Sequence, residues 1–262
     1  MVESTIALRC GRRLSYLATG PVDGFPVAYL HGALGSPRWR TPALEAVLDA
    51  LRIRYVVVNR PGFCSSDDEP DRTVGGFARD LEEVADALGW DRFSVVGVSA
   101  GAPYALACAA VMPERLVATA AVSPFAPPGF AAPGRGVPVR YRTPLAFTLP
   151  GLGPALAAAA LRASGLRRET PVGAMIADYL ACCRPWGFEP AAVDGPVRIW
   201  HARHDRLVPL PHVLRLTAAL PHGRLEVEPR GGHFFFQRRV TDILGSVVPG
   251  IRATRVRPAL AA

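Results

Sequence analysis

Lysine is absent from the chain, so all 30 basic residues are arginines. They outnumber the 22 acidic residues and give a formal net charge of +8. No basic run is longer than the pairs Arg12-Arg13, Arg167-Arg168 and Arg238-Arg239, and no nucleic-acid-binding motif accompanies them. This pattern favours a compositional bias of the genome over a nucleic-acid surface. We therefore expect no nucleic-acid partner.

Cysteine is scarce and has no pattern. The five cysteines lie at positions 10, 64, 108, 182 and 183, and none of them has the spacing of metal ligands. The segment Met1–Ile6 also lacks the basic start and the long apolar core of a signal peptide. We expect reduced thiols, a cytoplasmic location, and neither a metal nor a cofactor.

Long apolar runs are nearly missing too. The exception, Thr143 to Leu161, carries no charge over a length that could cross a bilayer. Prolines and glycines interrupt it, and most of its apolar residues are small. We interpret it as a mobile apolar segment that lines a pocket and expect no stable membrane insertion, while weak contact of this region with a membrane surface stays open.

What the chain does contain is a regular alternation of short apolar strands with helices. Of its 262 residues, 50% are hydrophobic and 20% are charged, which suits one large folded domain or a core with an insertion. The alternation predicts an α/β fold, with a mostly parallel central sheet and helices on both faces. Residues 1–123 and 196–262 form the predicted core, and residues 124–195, dense in proline and glycine at first, form a predicted helical cap.

Individual elements follow from periodicity and from capping residues. Thr73 is expected to cap a helix that ends near Leu88, and Phe234 to Val248 is expected to be one continuous final helix. Polar residues follow several predicted strands directly. In a parallel sheet such residues gather at one edge, where binding and catalytic sites form; they are His31, Arg60, Ser99 and Ser123.

The segment Gly97-Val98-Ser99-Ala100-Gly101 joins a predicted strand to a predicted helix of small residues. This G-x-S-x-G pattern indicates a very tight turn that forces the serine into a strained conformation with its oxygen pointing outward. The glycines leave room for the turn, and the helix start favours negative charge beside the serine. Ser99 is therefore the candidate nucleophile.

A serine hydroxyl needs a base, and the base needs a carboxylate that fixes its tautomer. Asp205 and His233 each follow a predicted strand after the serine, in the order Ser, Asp, His. Asp194 precedes its strand and therefore lies at the wrong end of the sheet. The histidines at 201, 204, 212 and 222 are weaker candidates because they lie within or beside other elements.

The negative oxygen of a tetrahedral intermediate needs two converging backbone N–H groups. We expect Ala100, which follows the nucleophile, to provide one and Ala33, in the loop after the third strand, to provide the other. In the same loop, His31 and Gly32 are expected to order the backbone; a role for His31 as a second base is the weaker alternative.

Together these motifs resemble the α/β-hydrolase fold superfamily, in its small, capped, cofactor-free form. The matching segments are Leu30-His31-Gly32, Asn59-Arg60-Pro61-Gly62, Gly97–Gly101, His204–Pro209 and Gly231-Gly232-His233. The family often has Asp where Asn59 stands and Gly where Cys64 stands, which should alter the loop below the site more than the chemistry. Ser99 argues against the family's dehalogenases and epoxide hydrolases, which use an aspartate nucleophile.

The resemblance and the predicted triad favour a serine hydrolase that cleaves an ester or thioester of a small molecule through an acyl-Ser99 intermediate. Aromatic residues of the predicted cap favour an uncharged, partly hydrophobic substrate. One alternative is a cofactor-free lyase, perhydrolase, acyltransferase or cyclase on the same triad. Another is a non-enzymatic small-molecule receptor. The substrate and the oligomeric state stay open.

Overall fold

A computed structural model describes residues 3–33, 42–125 and 171–250. Its centre is an eight-stranded sheet in the order β1-β2-β4-β3-β5-β6-β7-β8. The first two strands pair antiparallel with each other, β2 pairs antiparallel with β4, and all the other pairs are parallel. The predicted fold class is confirmed.

The strands and helices follow one another in near-strict alternation after the initial hairpin. The strands are β1 (Glu3–Ala7), β2 (Arg13–Thr19), β3 (Phe25–Leu30), β4 (Ile53–Val58), β5 (Phe93–Val98), β6 (Leu116–Val122), β7 (Val197–Ala202) and β8 (Gly223–Glu228). The described α-helices are α1 (Pro42–Ala50), α2 (Val74–Ala87), α3 (Gly101–Val111), α4 (Val172–Cys183), α5 (Leu210–Ala219) and α6 (Val240–Gly245). Within the described ranges, no helix is long and apolar enough to span a membrane.

The sheet separates two hydrophobic cores because side chains alternate along each strand. On β5, Phe93 and Val95 join the core beneath α2, α3 and α5, whereas Val96 and Val98 join the core beneath α1 and α6. Helix α3 consists mainly of small residues, nearly all of them buried. This composition allows it to lie close to both β5 and α2.

Most predicted elements are present, with their ends shifted by a few residues. Thr73 caps α2 as expected, and its hydroxyl oxygen accepts from the N–H of Gly76 at 2.9 Å. The prediction of one continuous helix over 234–248 is wrong. A short 3₁₀ turn, Phe235–Arg238, is separated from α6 by Arg239, whose φ of −113° and ψ of 15° leave the helical region. The uncharged apolar segment Thr143 to Leu161 lies outside the described residues.

Backbone packs on backbone where β5 turns into α3. A Cβ on Gly97 would collide with the carbonyl of Gly101, and a Cβ on Gly101 would collide with the carbonyls of Leu30 and His31. Both glycines therefore allow the end of β3, the end of β5 and the start of α3 to meet. The polar residues at these chain ends are thereby held next to one another.

Substitution of Gly97 or Gly101 by alanine should strongly destabilise the protein, because the new methyl group meets rigid backbone. We expect losses of about 2–4 kcal/mol in the free energy of unfolding, measured by urea denaturation. The matched control is Gly173→Ala in α4, where a Cβ would have nothing within 4 Å. The control should be neutral or stabilising by up to about 1 kcal/mol. Equal effects at the three positions would contradict the close-packing explanation.

Candidate active site

Ser99 occupies the tight turn between β5 and α3. Its φ is 56°, in the left-handed region that non-glycine residues seldom adopt. Hydrogen bonds fix it there, since its N–H donates to the carbonyl of Val122 at 2.7 Å and its own carbonyl accepts from Ala102 at 3.0 Å. The strained conformation predicted from the G-x-S-x-G pattern is therefore present.

Two side chains from distant parts of the chain meet at this serine. The Oγ atom of Ser99 lies 2.9 Å from Nε2 of His233, and Nδ1 of His233 lies 2.8 Å from Oδ2 of Asp205. The three residues are largely buried. A proton on Nδ1 donated to the carboxylate leaves Nε2 free to accept the serine hydroxyl, which is the tautomer that general-base chemistry needs.

A turn after β7 holds the carboxylate of Asp205. Its Oδ1 accepts from the backbone N–H groups of Leu207 at 2.8 Å and Val208 at 2.9 Å. Burial alone would raise the pKa of Asp205, but the hydrogen bonds from His233 and from this turn outweigh it and leave that pKa lowered. The carboxylate is accordingly kept charged beside His233.

The weaker candidates from the sequence lie away from the serine. His201 is buried behind Asp205, where its Nε2–H donates to the carbonyl of Val208 at 3.1 Å and so supports the same turn. His204 is exposed, and His212 is partly buried on α5. His222 pairs with Asp194 at 3.4 Å, and both flank the amino ends of β7 and β8, the end of the sheet opposite the serine.

The loop after β3 lies beside Ser99. A Cβ on Gly32 would be 3.4 Å from the Cβ of Ser99 and 3.9 Å from its Oγ. Ala100 immediately precedes α3 and is fully buried, and Ala33 is partly buried. The residues expected to provide the two oxyanion donors thus belong to segments that border Ser99 on both sides.

His31 orders this loop from within. Its Nδ1–H donates to the carbonyl of Gly32 at 2.8 Å, and its ring packs edge-on against Phe63 with centroids 4.6 Å apart. Burial, together with the nearby positive charge of Arg60, lowers the pKa of His31 to about 3. His31 is therefore neutral at physiological pH, which suits the loop-ordering role expected of it.

Arg60, Tyr104 and Asp178 form a cluster of charged and polar side chains beneath the loop. The sequence alone predicts no role for this cluster. Arg60 was placed at a strand end, but Tyr104 on α3 and Asp178 on α4 were missed. In the structure, Oδ1 of Asp178 accepts from Nε of Arg60 at 3.0 Å and from the hydroxyl of Tyr104 at 2.7 Å. One signal could have identified Asp178: it is the only charged residue in the otherwise apolar helix α4.

Ser123 supports the histidine from below. Its φ is 46°, and its N–H donates to the carbonyl of Trp200 at 2.8 Å. Its hydroxyl donates to the carbonyl of His233 at 3.2 Å. The polar residue at the end of β6 therefore contacts the backbone of His233.

Two departures from the family pattern affect the loop beneath the site. Cys64 has a φ of 52°, a conformation that the family's usual glycine adopts without strain. The side-chain N–H of Asn59 donates to the hydroxyl of Ser15 at 2.8 Å, in a buried position. Within residues 3–33, 42–125 and 171–250, no group of three or more His, Cys, Asp or Glu side chains could hold a metal ion.

The sheet order, the helices on both faces and the serine at the strand-to-helix turn define an α/β-hydrolase fold. A family model described as "Alpha/beta hydrolase family" matches residues 27–243. The chain belongs to that family, which confirms the predicted resemblance and the prediction of an enzyme of this type. The boundaries of the cap at 124 and 195 stay a prediction, because residues 126–170 lie outside the described part.

Named relatives are hydrolases. The chain is 29% identical over 256 residues to "2-hydroxy-6-oxononadienedioate/2-hydroxy-6-oxononatrienedioate hydrolase 2" of Pseudomonas putida. The alignment covers 83% of this chain and 87% of that protein. It is 28% identical to "2-hydroxy-6-oxo-6-phenylhexa-2,4-dienoate hydrolase" of Burkholderia cepacia, covering 71% and 72%. The structure of the enol-lactonase from Burkholderia xenovorans LB400 has a TM-score of 0.69 at 18% identity and covers 94% of this chain and 98% of its own.

Replacement of His31 by asparagine should flatten the acid side of the stability profile. Below pH ~6.5 the unfolded state binds a proton on His31, while the folded state, with a pKa of about 3, stays neutral. The free energy of unfolding of the wild type therefore decreases as the pH is lowered below about 6.5. His31 contributes about 1.4 kcal/mol per pH unit to that decrease. We expect His31→Asn to lose this contribution between pH 6 and pH 4.

Urea denaturation at pH 7, 6, 5 and 4 measures the slope. Asparagine retains an N–H donor near Gly32, although a lower stability at pH 7 is expected because the ring contact with Phe63 is lost. The control is His204→Asn, the same substitution at an exposed histidine. Parallel profiles for the wild type and His31→Asn would contradict a neutral buried His31.

Proposed function

We propose that the protein hydrolyses an ester or thioester of a small molecule through an acyl intermediate on Ser99. The observation that carries this proposal is the continuous contact from Ser99 Oγ to His233 and on to Asp205, at 2.9 and 2.8 Å. In this reaction Oγ attacks the substrate carbonyl as Nε2 of His233 takes the hydroxyl proton. His233 then returns that proton to the leaving alcohol or thiol.

The second half of the reaction uses the same groups with water. His233 takes a proton from a water molecule, the resulting hydroxide attacks the acyl carbonyl, and the proton returns to Ser99 Oγ as the acid leaves. Asp205 stabilises the positively charged imidazole in both halves, which its lowered pKa supports. The backbone N–H groups of Ala100 and Ala33 are the proposed donors to the tetrahedral oxyanion.

An uncharged, partly apolar acyl group fits the described surroundings of Ser99. The N–H of Phe125 lies 3.5 Å from the carbonyl of Ser99, and the ring of Phe125 packs edge-on against Tyr179 of α4, with centroids 5.9 Å apart. Arg60 is fully buried and already paired with Asp178, so its charge is unavailable to a substrate. Hydrolysis by a cytoplasmic enzyme stays our expectation from the sequence.

Hydrolysis of a carbon–carbon bond beside a ketone is the second candidate, and the two named relatives favour it. A 2-hydroxy-6-oxodienoate has carboxylate, hydroxyl and ketone groups but neither an ester nor an amide, so a hydrolase must cleave it next to the ketone. The same serine, histidine and oxyanion donors could act on that carbonyl. Such a substrate carries a carboxylate and needs a free cationic partner, which Arg60 does not provide.

Ser99→Ala should abolish turnover in a panel of p-nitrophenyl esters with increasing acyl chain length. We expect kcat to fall by about 10⁶ because the nucleophile is lost, as in other triads. The matched control is Ser94→Ala, the same change at a buried serine on β5, the strand that leads to Ser99; its hydroxyl donates to the carbonyl of Val247 at 2.7 Å. The control should retain kcat within a factor of about 3, although it loses a buried hydrogen bond.

The same panel separates the alternatives when it includes 2-hydroxy-6-oxo-6-phenylhexa-2,4-dienoate and a fluorophosphonate label. Ester turnover that depends on Ser99 supports the proposal. Turnover of the dienoate alone favours carbon–carbon cleavage. Labelling of Ser99 without turnover of either substrate class favours the lyase, perhydrolase or acyltransferase alternatives. Equal activity of the wild type and Ser99→Ala would contradict every mechanism that uses an acyl intermediate on Ser99.

Asp205→Asn should keep the fold but lower kcat by about 10⁴, because the amide cannot stabilise the imidazolium and favours the wrong histidine tautomer. The backbone donors of Leu207 and Val208 can still reach the side-chain oxygen of the asparagine. Steady-state kinetics on the best ester of the panel measure the loss. A kcat near that of the wild type would mean that Asp205 is not the acid of the triad.

A further inference from the structure

We propose that Arg60 is a positioning residue that aims the Ala33 N–H at the reacting carbonyl, and that Asp178 of the cap helix α4 holds Arg60 in place for this purpose. The inference deepens the proposed function and rests on it, since it concerns how the oxyanion donor is oriented. Its basis is a set of buried contacts that link α4, the loop after β4 and the loop after β3.

Arg60 donates directly to the loop that precedes Ala33. Its Nη1 lies 2.5 Å from the carbonyl of His31, and its Nη2 lies 3.4 Å from the carbonyl of Gly32. The side chain of Arg60 is completely buried, so no water competes for these donors. The guanidinium therefore acts as a fixed internal anchor for two successive peptide groups.

The second of these contacts determines where the Ala33 N–H points. The carbonyl of Gly32 and the N–H of Ala33 belong to the same planar peptide group, and in a trans peptide they point in opposite directions. No peptide bond among the described residues is cis. A carbonyl of Gly32 held toward Arg60 and His31 Nδ1 therefore turns the Ala33 N–H away from them.

Asp178 holds the guanidinium on its other edge. Nε and Nη2 of Arg60 lie 3.0 and 2.6 Å from the Asp178 carboxylate, and the hydroxyl of Tyr104 donates to the same carboxylate at 2.7 Å. Both charged side chains have zero exposure. The guanidinium also lies over the ring of Tyr104, 4.9 Å from its centroid.

Stability alone does not account for such a pair. Removal of two charges from water is costly, and apolar residues of similar volume often replace a buried pair without loss of stability. Helix α4 also contacts the segment with the other proposed donor, since the thiol of Cys182 donates to the carbonyl of Ala100 at 3.6 Å. The described part of the cap thus touches the backbone on both sides of the nucleophile.

The test is a triple variant, Arg60→Met, Tyr104→Phe and Asp178→Val, which replaces the charges and the hydroxyl together. We expect it to fold with only a modest drop in the midpoint of thermal unfolding, because both charges and the hydroxyl that pairs with them are removed together, although the carbonyl of His31 loses its Arg60 donor. Its kcat should nevertheless fall by about 10–100-fold with KM nearly unchanged, because a donor displaced by about 1 Å stabilises the transition state poorly.

Two further variants are compared with the triple variant. Arg60→Lys keeps the charge but lacks the fork that reaches both the carboxylate and the carbonyls, so its kcat should fall in the same way. The matched control is Arg12→Met with Asp80→Val, which removes another ion pair, at 2.8 Å, that makes no hydrogen bond to residues 31–33 or to Arg60 in the described part of the chain. That control should keep the kcat of the wild type.

A readout without substrate separates this inference from the proposed function. Amide hydrogen exchange at Gly32 and Ala33 should be faster in the folded triple variant than in the wild type and unchanged in the control. If the folded triple variant keeps both the kcat of the wild type and the wild-type exchange rates at Gly32 and Ala33, the positioning role is overturned. If wild type turns over no ester, the proposed function fails, and the exchange rates alone then decide whether Arg60 orders the loop.

Discussion

The site depends on one backbone constraint, the close approach of β3, β5 and α3 at the turn that carries Ser99. A positive φ at a serine is unfavourable by roughly 1–3 kcal/mol and persists only where the surroundings impose it. Here two glycines permit the approach, and the hydrogen bond from Ser99 N–H to Val122 closes it. Because that bond joins the end of β5 to β6, the position of Ser99 is a property of the whole sheet.

The surroundings of this turn determine the charge states of Asp205 and His31. Asp205 remains ionised because two backbone N–H groups and His233 face it, while His31, buried near Arg60, stays neutral. A protonated His31 beside Ser99 would add unpaired positive charge to a buried loop. Asp205 and His31 thus each have one charge state at neutral pH, and the proton of the Ser99 hydroxyl is the one that the proposed reaction moves.

Periodicity and motif spacing predicted the sheet, the turn at Ser99 and the two partners that meet there, because each follows from local chain signals at strand ends. Asp205 and His233 could be chosen over His201 or Asp194 from their position relative to a strand alone. The break at Arg239 could not be predicted in this way, since its side chain pairs with Glu228 of another element. The partnership of Arg60 with Asp178 was equally hidden, because 118 residues separate them and only tertiary packing joins them.

The shared burial of Arg60 and Asp178 has a consequence for how the molecule comes apart. Undocking α4 from the core would break the buried contacts of Asp178 with Arg60 and Tyr104 in addition to exposing the apolar face of the helix. Helix α4 and the sheet should therefore open together in one cooperative unit, with protection from exchange close to that of the central strands. Local opening near Ser99 should then be limited to segments other than α4, which carries the carboxylate of Asp178.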